Sequence, residues 1–403
     1  MGQPVAARPG ISRRVGAIAE SATLATDRRA RELTASGQHV ISFASGEPDF
    51  PTPADVVEAA IDACRDPKMH HYSPVAGLPE LRQAVAETVN AGSGPRVSPA
   101  NVLITSGTKQ AVAHTFTTLL DPGDEVLITS PYWVTFPEAV SLAGGVPVIV
   151  PASESRGYRV SVEDLERHAT ERTKALLFVS PSNPTGAVYS EAQMREIGEW
   201  LVARGLWVVS DEIYQNLTYG TARFRSLPDV VPGLFHQAIR LSGTSKSYAM
   251  TGWRVGWMIA PEPVIAAASN LHSHVCGNIG NISQAAAVAA LRSGLGSVDA
   301  MRAAFARRRD LMLAGLDSLP GVECPPPDGA FYVFPSVTGL LGREIRGERP
   351  ATSAELADIL LDQAKVAVVP GEAFGAPGHI RLSYALADDA IEEGLARIRA
   401  VLA

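Results

Sequence analysis

The chain has 403 residues, 46% of them apolar and 19% charged, which is typical of a globular protein with one large domain or two domains. The net charge of -7, without a run of Lys and Arg that resembles a nucleic-acid-binding stripe, argues against nucleic-acid binding. No apolar stretch reaches the roughly 20 residues of a membrane-spanning helix. Residues 1–17 lack the apolar run of a secretory signal, so we expect a cytoplasmic location.

The sequence does not indicate a disulfide framework or a metal site. Cys64, Cys276 and Cys324 are far apart and have no C-x-x-C spacing. His70 and His71 are adjacent, but no carboxylate or cysteine accompanies them at ligand spacing. We therefore expect no bound metal.

The first predicted elements are an amphipathic helix, a short strand and a second helix. Apolar and alanine positions at helical spacing predict the first helix at 21–36; the strand is predicted at 40–44 and the second helix at 53–64. This strand leads into Ser45-Gly46-Glu47-Pro48-Asp49-Phe50. Glycine and proline also mark ordinary turns, so this segment alone does not decide between a turn and a binding loop.

From residue 101 onward, short apolar runs alternate with helical segments. Such alternation predicts a mostly parallel sheet with helices on both faces, whose functional sites lie at the carboxyl ends of the strands. The predicted strands are 102–105, 126–129, 146–150, 175–179, 206–210, 239–241 and 255–259.

Polar residues follow several of these strands, where a site is expected. The segment 106–110 (SGTKQ) opens a helix whose free N–H groups could bind an anion, although Gly-Thr is also common in helix caps. Trp133 follows the second strand and Asn183 the fourth. Asp211 ends the fifth strand, where a carboxylate is costly unless a positive group faces it. Glu212 could instead cap a helix.

The remainder of the chain predicts further helices and a half-exposed strand. Residues 379–385 alternate between apolar and polar positions, and Arg381 lies within this strand. The predicted helices are 263–271, 282–291, 298–319, 355–363 and 388–402.

The segment Ser242–Trp257, SGTSKSYAMTGWRVGW, places Lys246 eight residues before Arg254. Lysine is a poor nucleophile while charged, so a lysine near a fixed cation is a candidate for amine chemistry. A single lysine beside glycine and serine is more often a solvated loop residue. Arginine offers a planar fork for phosphate oxygens. Together the two residues suggest a Schiff-base lysine beside the phosphate of pyridoxal phosphate.

This segment resembles the lysine signature of class I pyridoxal-phosphate-dependent aminotransferases, and more specifically their aspartate and aspartate/prephenate branch. Six further motifs occur in the order of that family: GEPDF, SGT, PYW, NPTG, DEIY and RLSYA. The resemblance implies a fold-type I α/β transferase with a mostly parallel seven-stranded sheet sandwiched by helices, plus a smaller α/β domain. The large cofactor-binding domain would span 50–295, and the small domain would combine 1–49 with 296–403.

The resemblance implies a role for each residue that would bind pyridoxal 5′-phosphate. Lys246 would hold the cofactor and transfer the substrate proton, while Asp211 would keep the pyridine nitrogen protonated. Trp133 would stack on the ring, and Asn183 and Tyr214 would bind its oxygen. The phosphate would be held by Gly107, Thr108, Arg254 and, from the partner subunit of a homodimer, Tyr72. Ser245 is a further candidate, because glycine stands at position 243 where some branches have a phosphate-binding serine. We also expect cis peptide bonds before Pro131 and Pro184.

The resemblance also implies a substrate site. Gly46 would let the substrate approach the backbone, Arg381 would bind its α-carboxylate bidentately, and Trp133 and Asn183 would complete the site. Lys109 matches the lysine that one branch uses for a distal carboxylate, although it also fits an exposed helix-start lysine. We therefore expect ping-pong transamination between an L-amino acid, aspartate first and glutamate, prephenate-type or aromatic substrates next, and an oxo acid such as 2-oxoglutarate.

Two alternatives remain open at this point. The same constellation supports β-elimination, decarboxylation or a specialised biosynthetic transamination, because the lysine and the ring do not fix which bond breaks. His272, His274 and Cys276 could mark such a change if they lie within reach of the substrate. A regulator that senses the cofactor would need a DNA-binding segment, and the N-terminus offers none.

Overall fold

The computed structural model describes residues 10–18 and 20–402. Its strands are β1 Ile41–Ser42, β2 Val102–Thr105, β3 Glu125–Ser130, β4 Val146–Pro151, β5 Thr173–Val179, β6 Trp207–Asp211, β7 Ala238–Gly243, β8 Gly256–Ile259, β9 Tyr332–Val333, β10 Val366–Ala367, β11 Val369–Pro370 and β12 Ile380–Ser383. Its helices are α1 Arg13–Gly16, α2 Ala22–Ala35, α3 Ala54–Arg65, α4 Pro79–Asn90, α5 Thr108–Leu119, α6 Thr135–Leu142, α7 Val162–His168, α8 Glu191–Arg204, α9 Leu227–Val230, α10 Glu262–Val275, α11 Asn281–Arg292, α12 Gly296–Asp317, α13 Ser353–Ile359 and α14 Asp388–Leu402.

The central sheet has seven strands in the order β2-β8-β7-β6-β5-β3-β4. All its neighbours pair in parallel except those of β8, which is antiparallel to both β2 and β7. Successive residues of β3 point to opposite faces. Leu127 packs in one core cluster with Leu201 of α8, and Ile128 packs in another with Phe116 of α5. Because both faces are buried, the strands read as continuous apolar runs. The mostly parallel seven-stranded sheet is confirmed.

Local signals fix the ends of the covering helices. At the start of α8, Ser190 and Gln193 form a reciprocal capping box, in which the Ser190 hydroxyl accepts a 3.3 Å bond from the Gln193 amide. The helix ends at Arg204 and is followed by Gly205, whose φ of 63° lies in the left-handed region that glycine adopts without strain. These two signals define the ends of α8, after which the chain returns to the sheet as β6.

A second, smaller group of elements contains the antiparallel sheet β11-β12-β9 and the parallel pair β1-β10. Strands β1, β9, β10 and β12 share a core cluster with α12, α13 and α14. The helix predicted at 355–363 is present, but α13 ends at Ile359 and the chain continues as a π-helical turn over Leu360–Ala364. The division of the chain into domains at residues 50 and 295 stays a prediction.

A buried arginine joins this smaller group to the loop that follows β1. Arg308 of α12 donates to both carboxylate oxygens of Asp49, at 2.7 and 2.9 Å, and at 3.0 Å to Asp388 at the start of α14. Its guanidinium also lies 5.0 Å from the centre of the Phe50 ring. The loop that carries Gly46 is therefore anchored at its far end.

Residues 10–18 and 20–402 contain no helix that is both long and apolar enough to cross a membrane. The same residues bring together no group of three or more His, Cys, Asp or Glu side chains suited to a metal ion. The peptide bonds before Pro131 and Pro184 are cis, as predicted, and the bond before Pro181 is also cis, which was not predicted.

Candidate active site

A cavity of about 590 Å³ opens at the carboxyl ends of the central strands. Its walls come from the ends of β5 and β6, the start of α5, the loop between β7 and β8, α2, and the smaller sheet. The cavity brings together most of the predicted site residues: Gly46, Thr108, Lys109, Trp133, Asn183, Asp211, Tyr214, Ser245, Lys246, Arg254 and Arg381.

Lys246 follows β7 and points into this cavity. Its Nζ donates to the carbonyl oxygen of Gly46 and lies 5.9 Å from the centre of the Phe331 ring. Burial lowers the pKa of Lys246 to about 8; the charge of Glu47 opposes this shift, whereas Arg381 and Arg254 add to it. At pH 7 about a tenth of this amine is therefore neutral and nucleophilic, far more than for an ordinary lysine.

Asp211 is the last residue of β6 and is only 3% exposed. One of its carboxylate oxygens accepts a 3.1 Å bond from the Ile213 amide, and it forms no ion pair within the described part of the chain. Burial raises the pKa of Asp211 to about 7; the Ile213 bond opposes the shift and the charge of Glu212 adds to it. A protonated donor placed opposite this carboxyl group would gain a strong partner.

Glu212 has a different role from its neighbour. It is buried, forms an ion pair with Arg240 of β7 and accepts from the hydroxyls of Ser210 and Ser226. The idea that Glu212 caps a helix is wrong, and Asp211 is the acid that faces the cavity.

Arg381 of β12 is 1% exposed. Its two terminal nitrogens donate to Asn183 Oδ1 at 3.0 Å and to the Ala44 carbonyl at 2.8 Å. Its Nε has no hydrogen-bond partner, and no carboxylate pairs with it among residues 10–18 and 20–402. A guanidinium has five N–H donors. Arg381 is thus a buried cation with free donors, which fits an incoming carboxylate.

The backbone at the start of α5 and the side chain of Arg254 together form a second cationic corner of the site. Gly107, with φ of 76°, precedes α5, and a Cβ added there would lie 2.6 Å from Nη2 of Arg254. Arg254 itself has the unusual φ of 57°, and its Nη1 donates to the Thr251 carbonyl at 2.9 Å. The helix N-terminus and this guanidinium converge on one place, an arrangement suited to phosphate. Thr108 joins this corner to β7 through a 3.0 Å bond from its hydroxyl to the Ser242 carbonyl.

The structure explains the glycine at position 243. A Cβ there would lie 2.7 Å from the Val255 carbonyl oxygen and 3.0 Å from the hydroxyl oxygen of Thr108. A serine at 243 therefore requires the strands to separate. Ser245, which is buried and lines the cavity, is the hydroxyl that remains on this side.

Lys109 and Trp133 lie together at the cavity wall. The Nζ of Lys109 is 5.0 Å from the centre of the half-buried Trp133 ring. Partial burial lowers the pKa of Lys109, and the charge of Arg254 adds to the effect. Lys109 is thus an exposed helix-start lysine that also lines the cavity, so a ligand role for it remains a prediction.

Some predicted residues lie outside the cavity. Tyr72 is 98% exposed and does not line it. His272 is fully buried and its ring bonds His114 at 2.9 Å, while His274 and Cys276 lie exposed at the end of α10. The idea that these three residues lie within reach of the substrate is wrong, because none of them lines the cavity.

Other lining residues were not predicted. Tyr332 of β9 contacts the cavity, as do Glu47 and, from α2, Asp27 and Arg31. Tyr332 ends the segment Gly329-Ala330-Phe331-Tyr332, and its closeness to Arg381 comes from the pairing of β9 with β12, which the sequence does not reveal. The polar residues of α2 gave no such signal, since they are typical of a solvated helix face.

Residues 38–398 match the family model described as aminotransferase class I and II. The chain belongs to this family. It is 56% identical to the aspartate aminotransferase of Streptomyces avermitilis, over 97% of this chain and 96% of that protein. It is 42% identical to the probable aspartate/prephenate aminotransferase of Aquifex aeolicus, over 98% of this chain and 99% of that protein.

Two solved structures extend this similarity to the fold. The aspartate aminotransferase of Rhizobium meliloti superposes with a TM-score of 0.94 at 37% identity, covering 98% of each chain. That of Thermus thermophilus with maleate superposes with a TM-score of 0.92 at 40% identity, over 98% of this chain and all of the other. The predicted family and fold are confirmed. The chain is an aminotransferase, and the family implies pyridoxal phosphate as its cofactor.

Proposed function

We propose that this aminotransferase transfers the amino group of L-aspartate to 2-oxoglutarate by ping-pong kinetics. Arg381 carries the proposal, because a buried guanidinium without a carboxylate partner and with a free Nε is ready for the α-carboxylate of an amino acid. The choice of aspartate draws support from the names of the relatives, and the solved Thermus thermophilus relative contains maleate, a dicarboxylate.

The donor set of the cavity fits pyridoxal 5′-phosphate. Arg254 and the start of α5 would hold the phosphate, assisted by Ser245, and Asp211 would face the pyridine nitrogen. Asn183 and Tyr214 would bind the ring oxygen, and the face of Trp133 would cover the ring. Arg254 and Asp211 are oppositely charged groups, and neither has an ion-pair partner in the described residues. When bound, the cofactor supplies an electron sink for the bond that breaks at the substrate Cα.

The side chains then divide the remaining work. Arg381 binds the α-carboxylate and so fixes the orientation of the Cα–H bond. Lys246, whose pKa is lowered to about 8, supplies a neutral amine that takes the Cα proton at Nζ. Asp211 would keep the pyridine nitrogen of the cofactor protonated. If that nitrogen lost its proton, the buried Asp211 carboxylate would be left without a charged partner.

Lys109 would supply the second cation that a dicarboxylic substrate needs. Its Nζ lies beside the Trp133 ring at the cavity wall, on the helix whose start forms the proposed phosphate site. An amino acid with an uncharged side chain would gain nothing from this ammonium group. A preference for aspartate over alanine therefore depends on Lys109 in this account.

We also propose that a second copy of the chain completes the site with Tyr72. A tyrosine that is 98% exposed is unusual for a large aromatic side chain, and a partner subunit would cover it. A Tyr72→Phe variant should bind the cofactor more weakly while its oligomeric mass is unchanged. Equal cofactor affinity in wild type and variant would exclude this role. A cytoplasmic location stays a prediction.

The test of the proposed function is a half-reaction screen. Single amino acids are added to the purified, cofactor-loaded enzyme without an oxo acid, and the visible absorbance of the bound cofactor is followed. Aspartate should discharge this absorbance and yield oxaloacetate in stoichiometric amount. Release of ammonia or carbon dioxide in place of a 2-oxo acid would contradict transamination.

A further inference from the structure

We propose that Tyr332 is a positioning residue that aligns the carboxylate-binding Arg381 with the cofactor-ring residue Tyr214. Tyr332 is 1% exposed and opens β9, which pairs antiparallel with the strand of Arg381 through the register of Tyr332 with Ser383. The inference rests on the proposed function, in which Arg381 binds the substrate and Tyr214 the cofactor, and it deepens that function by naming the side chain that connects the two.

The ring of Tyr332 supports the charge of Arg381. The guanidinium carbon lies 4.4 Å from the centre of this ring and 5.1 Å from that of Phe374. Burial lowers the pKa of Arg381, and the neighbouring Tyr332 and Tyr214 oppose that shift. An aromatic face stabilises a desolvated cation without occupying any of its N–H donors. A buried carboxylate would also stabilise the cation, but it would take the donors that the substrate needs.

The hydroxyl of Tyr332 contacts the other half of the site. Its oxygen lies 3.0 Å from the hydroxyl oxygen of Tyr214, and both groups are buried. In our proposal Tyr332 donates and Tyr214 accepts, which leaves the proton of Tyr214 free for the ring oxygen of the cofactor. A hydrogen bond in such a chain strengthens the next one.

The same hydroxyl packs against the loop that receives the lysine. A Cβ added to Gly46 would lie 3.3 Å from the Tyr332 oxygen, and the Gly46 carbonyl accepts from Lys246. One side chain thus contacts the carboxylate arginine, the ring tyrosine and the loop beside the reactive amine. These three groups come from three distant parts of the sequence, and Tyr332 fixes their spacing.

Tyr384 offers a matched control in the same core. It is fully buried, its hydroxyl makes one 3.3 Å bond to the Ala330 carbonyl, and it does not line the cavity. Tyr384→Phe and Tyr332→Phe each remove one buried hydroxyl and keep the ring. A merely structural role for Tyr332 predicts that the two variants behave alike.

The experiment compares wild type with Tyr332→Phe, Tyr332→Leu and Tyr384→Phe in three measurements. The first is the pH midpoint of the visible absorbance of the bound cofactor without substrate. The second is the dissociation constant of maleate, and the third is the split between KM and kcat. Tyr332→Phe should raise the pH midpoint by about 0.3 units, because the ring oxygen loses part of its hydrogen bond. Tyr332→Leu should weaken maleate binding and raise KM about tenfold, with a smaller effect on kcat.

Tyr384→Phe should leave all three measurements at their wild-type values. The inference is overturned if Tyr332→Phe keeps the wild-type midpoint, or if its midpoint moves no further than that of Tyr384→Phe. It is also overturned if Tyr332→Leu folds and binds maleate as tightly as wild type. Should Tyr332→Leu fail to fold, the midpoint of Tyr332→Phe still decides. A wild-type protein that does not bind pyridoxal phosphate would instead refute the proposed function.

Discussion

Replacing Arg381 by lysine keeps the positive charge and removes the planar fork. The structure gives the size of the effect. Lysine cannot present two parallel N–H groups to one carboxylate, so at least one charge-assisted hydrogen bond worth about 1.5–3 kcal/mol is lost. The acceptors at Asn183 Oδ1 and at the Ala44 carbonyl lose their donors as well. We expect kcat/KM for aspartate to fall by about 10–10²-fold and the free energy of unfolding by about 1–3 kcal/mol.

The assay measures kcat/KM for aspartate and for an amine that lacks the α-carboxylate. Arg381→Lys should remove most of the preference for aspartate over this amine, because the amine has no carboxylate for the guanidinium group to bind. Arg308→Lys is the control, because Arg308 is also buried and is paired with Asp49 and Asp388 outside the cavity. It should lose stability without losing that discrimination. If Arg381→Lys retains the wild-type ratio of kcat/KM values, Arg381 does not bind the substrate carboxylate.

Three further changes have defined outcomes. Lys109→Ala should raise KM for aspartate about tenfold and leave that for alanine and the cofactor absorbance unchanged; unaltered aspartate kinetics would remove the basis for the substrate choice. Asp211→Asn should stabilise the cofactor-free protein at pH 8 by up to a few kcal/mol, because the folded-state pKa of about 7 means that Asp211 destabilises the fold as pH rises from 4 through 7. Thermal unfolding of wild type and Asp211→Asn, each with and without pyridoxal phosphate, checks this. If the cofactor raised the melting temperature of the two proteins equally, the result would contradict it. Burial and the charge of His272 lower the pKa of His114 to about 4. The unfolded chain therefore binds a proton at this position more readily than the folded protein, and the free energy of unfolding falls as pH drops from 6.5 through 4. His114→Gln should reduce the acid sensitivity of urea unfolding by about 1–2 kcal/mol, and an unchanged difference between pH 6.5 and pH 4.5 would refute it.

The sequence predicted the central sheet closely because its strands are buried on both faces. Within β5, residues 175–179 are apolar throughout, and polar residues on both sides of this run mark its ends. The residues after the strands were also predictable, because parallel strands direct their carboxyl ends to one edge. Asp211 illustrates this, since its position at the tip of β6 follows from the pattern alone.

The contacts that cross between distant segments could not be predicted in the same way. The pairing of His114 with His272 joins two helices that are 158 residues apart, and neither sequence context indicates a partner. The stacking of Arg381 on Tyr332 depends on the register of β9 and β12, which short strands leave unspecified. The role proposed for Tyr72 depends on a second copy of the chain, because in a single copy this residue is 98% exposed and lies outside the cavity.

The central claim is that the amine of Lys246 reacts with the cofactor aldehyde. The most direct measurement is borohydride reduction of the protein loaded with pyridoxal phosphate, followed by proteolysis and mass spectrometry of each lysine-containing peptide. The account predicts that the peptide bearing Lys246 carries the reduced cofactor. An unmodified Lys246 peptide, or a modification found only on Lys109, the other lysine that lines the cavity, would contradict it.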